Sequence, residues 1–215
     1  MKKNFISILT GIVIISSGFI LFEEWTVSTV CGANDTGHQY DGNKDKACFT
    51  NHIGHCASDG QGNLFVVDED ALRKVSPDGS VNSWFGGHIN DENGDAKNLP
   101  TLNDLKGICI DKAGVIYVSD GNCIKKINSN KEVELYAGNK DYSGSDDGVG
   151  AAAEFYNPSG LCMDKAGNIY VADANNRRVR KIAAGTKAVT TLAGEQKDGT
   201  YKTGAGKAAS FFPFC

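Results

Sequence analysis

Three short apolar runs with alternating side-chain character recur along the chain at nearly constant spacing. They begin at Gly62, Gly114 and Gly167, which are 52 (114 − 62) and 53 (167 − 114) residues apart. Alternation with a period of two is typical of a β-strand, and a D-x-x-G turn before each run predicts a strand–turn–strand unit. We expect the repeated aspartates and glycines to be structural: Asp59, Gly62, Asp68, Asp111, Gly114, Asp120, Asp164, Gly167 and Asp173.

Each repeat continues with a basic third segment and a fourth run that closes on Gly86, Gly138 or Gly194. The sequence therefore predicts four short antiparallel strands per repeat, with the repeats at about 53–87, 105–138 and 158–194. Four strands recurring about every 40 to 50 residues are typical of propeller blades. We expect an all-β fold, a partial β-propeller of about three blades. In the second strands, Ile116, Val118, Ile169 and Val171 should share one face and Tyr117 and Tyr170 the other.

The third repeat resembles the NHL-repeat family of β-propellers. The resemblance rests on a P-x-G-L segment at 158–161, on D-x-x-G-N-I-Y-V-A-D at 164–173, on the N-x-R-V-R-K-I stretch at 176–182 and on T-L-A-G at 191–194. It extends from about Thr26 to the end of the chain. The first repeat departs most, with an extra residue between Gly54 and Asp59, which predicts a bulge in its innermost strand.

The two ends of the propeller segment also resemble parts of blades. Residues 27–32 match the outermost strand of a blade, and residues 206–211 match the approach to a fourth repeat. Three blades fall below the usual range of about 4 to 8. We therefore expect a fragment of a longer propeller, or alternatively two associating copies. Open blade faces would favour self-association.

An uncharged stretch of 18 residues, 5–22, lies between Lys2 and Lys3 on one side and Glu23 and Glu24 on the other. As a helix it would be about 27 Å long, which suits a signal peptide or a bilayer crossing. We expect an N-terminal hydrophobic helix in which residues 1–24 are a signal peptide or a membrane anchor; a buried core helix is the third reading. Residues 25–215 would then be a secreted or membrane-anchored extracytoplasmic propeller segment.

The charge balance limits the class of partner. Twenty-two basic against 26 acidic residues give a net charge of −4, which disfavours nucleic acid. Basic residues on each third strand (Arg73, Lys74, Lys125, Lys126, Arg180, Lys181) are expected to pair with the aspartate that ends each second strand.

Two acidic loops are calcium candidates, because oxygen-bearing side chains alternate in them: Asp41, Asn43, Asp45, Asp91, Asn93 and Asp95. Neither loop has an acidic twelfth residue, since His52 and Leu102 stand there. Solvated turns are the favoured interpretation of these loops, and no other cofactor is predicted.

Three cysteines, Cys56, Cys109 and Cys162, each lie two residues after a repeat glycine. We expect them to be small buried hydrophobes with unreactive thiols. Cys31, Cys48, Cys123 and Cys215 follow no such pattern.

No polar constellation recurs where catalysis would need it, so no catalytic residue is predicted. We expect a non-catalytic binding or scaffold module for an unidentified protein or small ligand. The alternative is a metal-dependent propeller enzyme, a lactonase-like hydrolase or a lyase, with His55 as the one histidine on an innermost strand.

Overall fold

The computed structural model describes residues 7–10, 26–32, 39–86, 88–90, 96–98, 102, 104–194 and 203–211. Within these residues the chain folds into three antiparallel sheets of four or five strands, which we call blades 1 to 3, and two short hairpin-like pairs. The strands before and in blade 1 are β1 (Ser7–Thr10), β2 (Thr26–Thr29), β3 (Ile53–Ser58), β4 (Leu64–Asp68), β5 (Ala71–Val75) and β6 (Val81–Gly86).

Blade 2 follows a short pair of strands, β7 (His88–Asn90) and β8 (Ala96–Asn98). It consists of β9 (Leu105–Ile110), β10 (Ile116–Asp120), β11 (Cys123–Ile127) and β12 (Val133–Gly138). Blade 3 contains β13 (Gly148–Val149), β14 (Pro158–Met163), β15 (Ile169–Asp173), β16 (Arg178–Ile182) and β17 (Ala188–Ala193). A single-turn 3₁₀ helix, Gly150–Ala152, lies between β13 and β14, and a second, Gly206–Ala208, follows blade 3.

The repeated aspartates of the D-x-x-G turns hold the first two strands of each blade together. The carboxylate of Asp164 accepts hydrogen bonds from the backbone N–H groups of Ala166 and Asn168 and from the Asn168 side chain. The Asn168 side chain, with Tyr170, lowers the pKa of Asp164 to about 2. Asp59 and Asp111 accept the same backbone hydrogen bonds in blades 1 and 2.

Neighbouring blades pack face to face, and two apolar clusters lie between them. Ile116 and Val118 point into the cluster between blades 1 and 2. Tyr117 points the other way, into the cluster between blades 2 and 3, where Ile169 and Val171 face it from blade 3. The predicted alternation is therefore confirmed, and each second strand supplies residues to the surfaces on both of its sides.

The first strands of adjacent blades contact one another, which places them innermost. Gly107 is required there, because a Cβ on it would lie 2.0 Å from the Ser159 carbonyl oxygen of blade 3. The Ser119 hydroxyl accepts from the Gly107 N–H and donates to that carbonyl, at 2.7 and 3.0 Å. The bulge predicted in the first repeat is present in β3–β4, and similar irregularities occur in the first strand pair of blades 2 and 3.

Two buried arginines tie the loop before a blade to the blade itself. Arg180, fully buried, donates to Asp173 at 2.8 Å and to Asp147 at 2.9 Å, and its guanidinium lies 5.2 Å from the centre of the Phe155 ring. It also donates to the Glu154 and Asp146 carbonyls. The predicted pairing of third-strand basic residues with the aspartates is thus confirmed in blade 3.

The arrangement is duplicated in blade 1. Arg73 donates to Asp68 at 2.9 Å and to Asp41 at 3.2 Å, and it lies 5.1 Å from the centre of the Phe49 ring. In blade 2 a lysine takes the place of the arginine, and Lys125 pairs with Asp120.

The predicted N-terminal hydrophobic helix is not shown. Within the predicted stretch, β1 is a strand that pairs antiparallel with β2, and the remaining residues of 5–22 lie outside the described part of the chain. Among the described residues no helix is long and apolar enough to cross a membrane. The expected outermost strand at 27–32 is placed beside blade 1, where Val30 and Cys31 pack against Val66, Val75 and Val81.

Replacing Ile169 with aspartate tests the packing between blades 2 and 3. Ile169 is fully buried in that cluster. Ile169→Asp should lower the free energy of unfolding by about 3 kcal/mol or more, because it buries an unpaired charge. Thr190→Asp, on an exposed position of the same blade, should change it by no more than about 0.5 kcal/mol. Equal urea midpoints for the two variants would contradict the assignment.

Removing the buried arginine of blade 3 should be more costly than removing a surface cation. Arg180→Met leaves the Asp173 carboxylate buried without its cation, so we expect a loss of about 3 to 5 kcal/mol in urea unfolding. Lys140→Met removes an ion pair whose side chains are 75% and 66% exposed, so it should leave the urea midpoint nearly unchanged. A loss below about 1 kcal/mol for Arg180→Met would contradict a stabilising role for the ion pair.

Candidate functional site

A group of polar side chains joins blades 2 and 3 where the innermost strands begin. We call Asp104, Lys106, Asn122 and Asn157 the axial polar surface. The Lys106 ammonium donates to the Asp104 carboxylate at 2.7 Å and also to the side-chain oxygen of Asn157. The Asn122 side-chain oxygen accepts from the Asn157 backbone N–H at 3.0 Å. The ammonium group of Lys106, in blade 2, thus contacts the start of blade 3.

The repeated aspartates position this surface. Asp120, which ends β10, accepts a hydrogen bond at 2.7 Å from the backbone N–H of Asp104 and so holds the chain as it enters β9. In blade 3 the same contact runs from the Tyr156 N–H to Asp173 at 2.8 Å. Since the backbone is held in the same way, the differences between blades at this end come from the side chains.

Lys106 is specific to blade 2. The residues immediately before the other two repeat glycines are Ile53 and Ser159. The Lys106 and Asp104 side chains remain 32% and 52% exposed, so their charges are available to a ligand. The axial polar surface offers a cationic donor, an anionic acceptor and two amide side chains, a combination that suits a polar ligand. The repeat pattern did not reveal Lys106 as a site residue, because departure from a repeat does not by itself indicate a contact with the next blade.

In the first predicted calcium loop, the side chains of Asp41 and Asn43 accept hydrogen bonds from other groups of the protein. Asp41 accepts hydrogen bonds from Arg73 and from the backbone and hydroxyl of Ser83. The Asn43 side-chain oxygen accepts from the backbone N–H groups of Asp45 and Lys46, as in an ordinary Asx turn. Asp91, Asn93 and Asp95 lie outside the described residues. Among the described residues, no three His, Cys, Asp or Glu side chains are grouped so that they could hold a metal ion.

An apolar cleft of about 310 Å³ lies on the side of blade 3 that faces away from blade 2. His55 reaches it from blade 1, and a Cβ on Gly160 would lie 3.1 Å from the His55 ring. The other lining residues belong to blade 3: Leu161, Cys162, Tyr170, Val171, Ala172 and Val179. The cleft is therefore a largely apolar sheet face with the His55 imidazole at its edge.

A comparison with blade 2 identifies this cleft as a blade-facing surface. The residues of blade 2 that correspond to Tyr170 and Leu192 are Tyr117 and Tyr136, each 9% exposed because blade 3 covers them. In blade 3, where no described residue provides such cover, Leu192 is 40% exposed. The cleft therefore corresponds to the surface on which a further blade would pack.

The chain beyond blade 3 repeats the loop that enters blade 3. Gly150 and Gly206 both have φ of +54°, and each begins a single-turn 3₁₀ helix. Phe155, which follows the first of these helices, is fully buried beneath Arg180, whereas its counterpart Phe211 is 40% exposed. Residues 206–211 therefore repeat the local conformation of residues 150–155.

The thiol prediction is correct for Cys109 and wrong for Cys56 and Cys162, which are exposed. The extra residue in the first repeat places Ala57, rather than Cys56, opposite Phe65, in the position that Cys109 takes opposite Tyr117. Cys162 has the expected register opposite Tyr170. It is exposed because it lies on the open face of blade 3.

Native alkylation should distinguish these thiols. Burial raises the pKa of Cys109 to about 12, so its thiolate is scarce near neutral pH. Iodoacetamide should therefore modify Cys56 and Cys162 before Cys109, as followed by peptide mass spectrometry. In urea the three should react at similar rates. Modification of Cys109 as fast as Cys162 in the folded protein would contradict the packing between blades 2 and 3.

Residues 155–182, which comprise most of blade 3, match the family model described as NHL repeat. NHL repeat-containing protein 2 of Homo sapiens is 30% identical over an alignment of 149 residues, and the alignment covers 60% of this chain and 20% of that protein. Protein SUPPRESSOR OF QUENCHING 1, chloroplastic, of Arabidopsis thaliana is 41% identical over 66 residues, 31% of this chain and 6% of that protein. The chain thus spans a fifth or less of the length of both relatives.

Among solved structures, an auxiliary nutrient binding protein from Bacteroides thetaiotaomicron is similar with a TM-score of 0.49 and 18% identity. The similarity covers 86% of this chain and 54% of that one. The match at residues 155–182 and the human relative confirm the resemblance of the chain to NHL-repeat β-propellers.

Proposed function

We propose that this chain is a non-catalytic binding or scaffold module, and that a protein or small-molecule partner binds at its axial polar surface. The observation that carries the proposal is the contact of Lys106 with Asp104 and Asn157 across two blades. This group is specific to its blade, charged and partly exposed, whereas the buried ion pair between Arg180 and Asp173 serves the packing of the blade.

The module is proposed to act outside the cytoplasm, either secreted or anchored by residues 5–22. The uncharged stretch preceded by Lys2 and Lys3 supports this location. Cell fractionation with N-terminal sequencing of the recovered chain tests it. Recovery of the full-length chain in the cytoplasmic fraction would contradict it.

Site-specific photo-crosslinking tests the binding surface. A photo-reactive amino acid replaces Tyr156, which is 45% exposed and adjoins Asn157 in the chain, or Lys165, which is exposed in the turn at the opposite end of blade 3. We expect a discrete adduct from position 156 and none from position 165. The adduct should be lost on Lys106→Ala and retained on the control Lys140→Ala. No adduct, or one that forms equally at both positions, would contradict the proposal.

Metal analysis of the purified chain distinguishes the two functional hypotheses. The alternative to a binding module is a metal-dependent hydrolase or lyase of which this chain is a segment. We expect zinc and calcium well below one ion per chain and an unchanged thermal midpoint in the presence of a chelator. One tightly held ion per chain whose removal lowers the midpoint would favour the enzyme and overturn the proposal.

A further inference from the structure

A second cleft of about 310 Å³ lies at the outer part of blade 3, away from the axial polar surface. Its walls come from the loop that enters blade 3, from the ends of β16 and β17, and from the 3₁₀ turn that follows the blade. The lining residues are Ser145, Asp146, Asp147, Arg178, Thr191, Gly194 and Lys207. Unlike the open blade face, this cleft is lined mainly by polar and charged side chains.

The two cations of the cleft, Arg178 and Lys207, are not shared by all the blades. Arg178 stands opposite Asp173 at the start of the third strand, where blades 1 and 2 have Ala71 and Cys123 opposite their aspartates. Lys207 has the place in its 3₁₀ turn that Ala151 has in the turn between β13 and β14. Two cationic side chains of the cleft thus stand where the matching positions have small neutral ones.

The Arg178 guanidinium has donors to spare. One terminal nitrogen donates to the Ser145 carbonyl at 2.7 Å, and the other terminal nitrogen has no hydrogen-bond partner among the described residues. The Nε is buried and unpartnered, as it also is in Arg73 and Arg180, so it does not distinguish Arg178. A guanidinium presents five N–H donors in a plane and binds a carboxylate with two parallel hydrogen bonds. Arg178 therefore has capacity for a further acceptor, beyond what the fold uses.

The acidic side chains of the cleft limit the charge of a ligand. Asp147 is engaged by Arg180 and by the Thr191 hydroxyl, both at 2.9 Å, and its pKa lies below the usual value for a carboxyl group. Asp146 lies on the same wall as Asp147. Because these carboxylates offset the two cations, the cleft has no large excess of positive charge, which disfavours a dianion such as phosphate.

We propose that this cleft binds a small ligand through a single carboxylate group, with Arg178 as the main contact and Lys207 as the second cation. The proposal goes beyond the binding module described above and uses a different part of blade 3. It assigns Arg178 a role that neither the propeller packing nor the axial polar surface gives it.

An amide-resolved titration with acetate tests the proposal. The full chain is titrated by ¹H–¹⁵N NMR at constant ionic strength with chloride as the balancing ion, and the amides of Thr191 and Gly194 report on the cleft. We expect a saturable shift with a Kd on the order of 1 mM. Arg178→Ala should weaken acetate binding about tenfold or more, since a charge-assisted contact is lost.

Arg178→Ala should remain folded, because Ala71 occupies the same position in blade 1; an unchanged spectrum outside the cleft checks this. The matched control, Lys140→Ala, should bind acetate as the unaltered chain does. Phosphate at the same ionic strength should shift these amides less than acetate. Absence of saturation, equal binding by Arg178→Ala, or preference for phosphate would each overturn the proposal.

Discussion

A four-stranded blade cannot bury both of its faces by itself, and this constraint governs the rest of the molecule. Each second strand sends alternate side chains to opposite faces, so that Val118 packs toward blade 1 and Tyr117 toward blade 3. Stability therefore depends on neighbours. The same position is 9% exposed where a blade lies beside it and 40% exposed where no described residue covers it, as Tyr136 and its counterpart Leu192 show.

The close approach of the blades explains where the backbone is restricted. Gly107 can be no other residue without displacing the Ser159 carbonyl of blade 3. Farther from the axis, Arg180 and Arg73 each join an aspartate of their blade to an aspartate of the preceding loop. Charges buried in this way must be paired, so these arginines serve the fold and are not free to bind a ligand.

Both binding proposals rest on residues that differ between the blades. Lys106 stands where the other blades have uncharged residues, and it reaches across to Asn157. Arg178 belongs to the N-x-R-V-R-K-I stretch of the third repeat and faces a polar cleft, whereas blades 1 and 2 have Ala71 and Cys123 at its position. The two positions lie in different parts of the propeller segment, which allows the axial polar surface and the outer cleft to act independently. A repeat architecture suits this division, because packing is satisfied by the shared positions and recognition can vary from blade to blade.

The sequence by itself determined the features that depend on residues close together in the chain: the four strands of each repeat, the D-x-x-G turns, and the pairing of Asp173 with Arg180 seven positions later. Only the tertiary structure decided which side chains are covered. Cys109 and Cys162 have equivalent registers, yet one is buried and the other exposed. Exposure depends on the adjacent blade, and residues about 50 positions away in the sequence supply that blade.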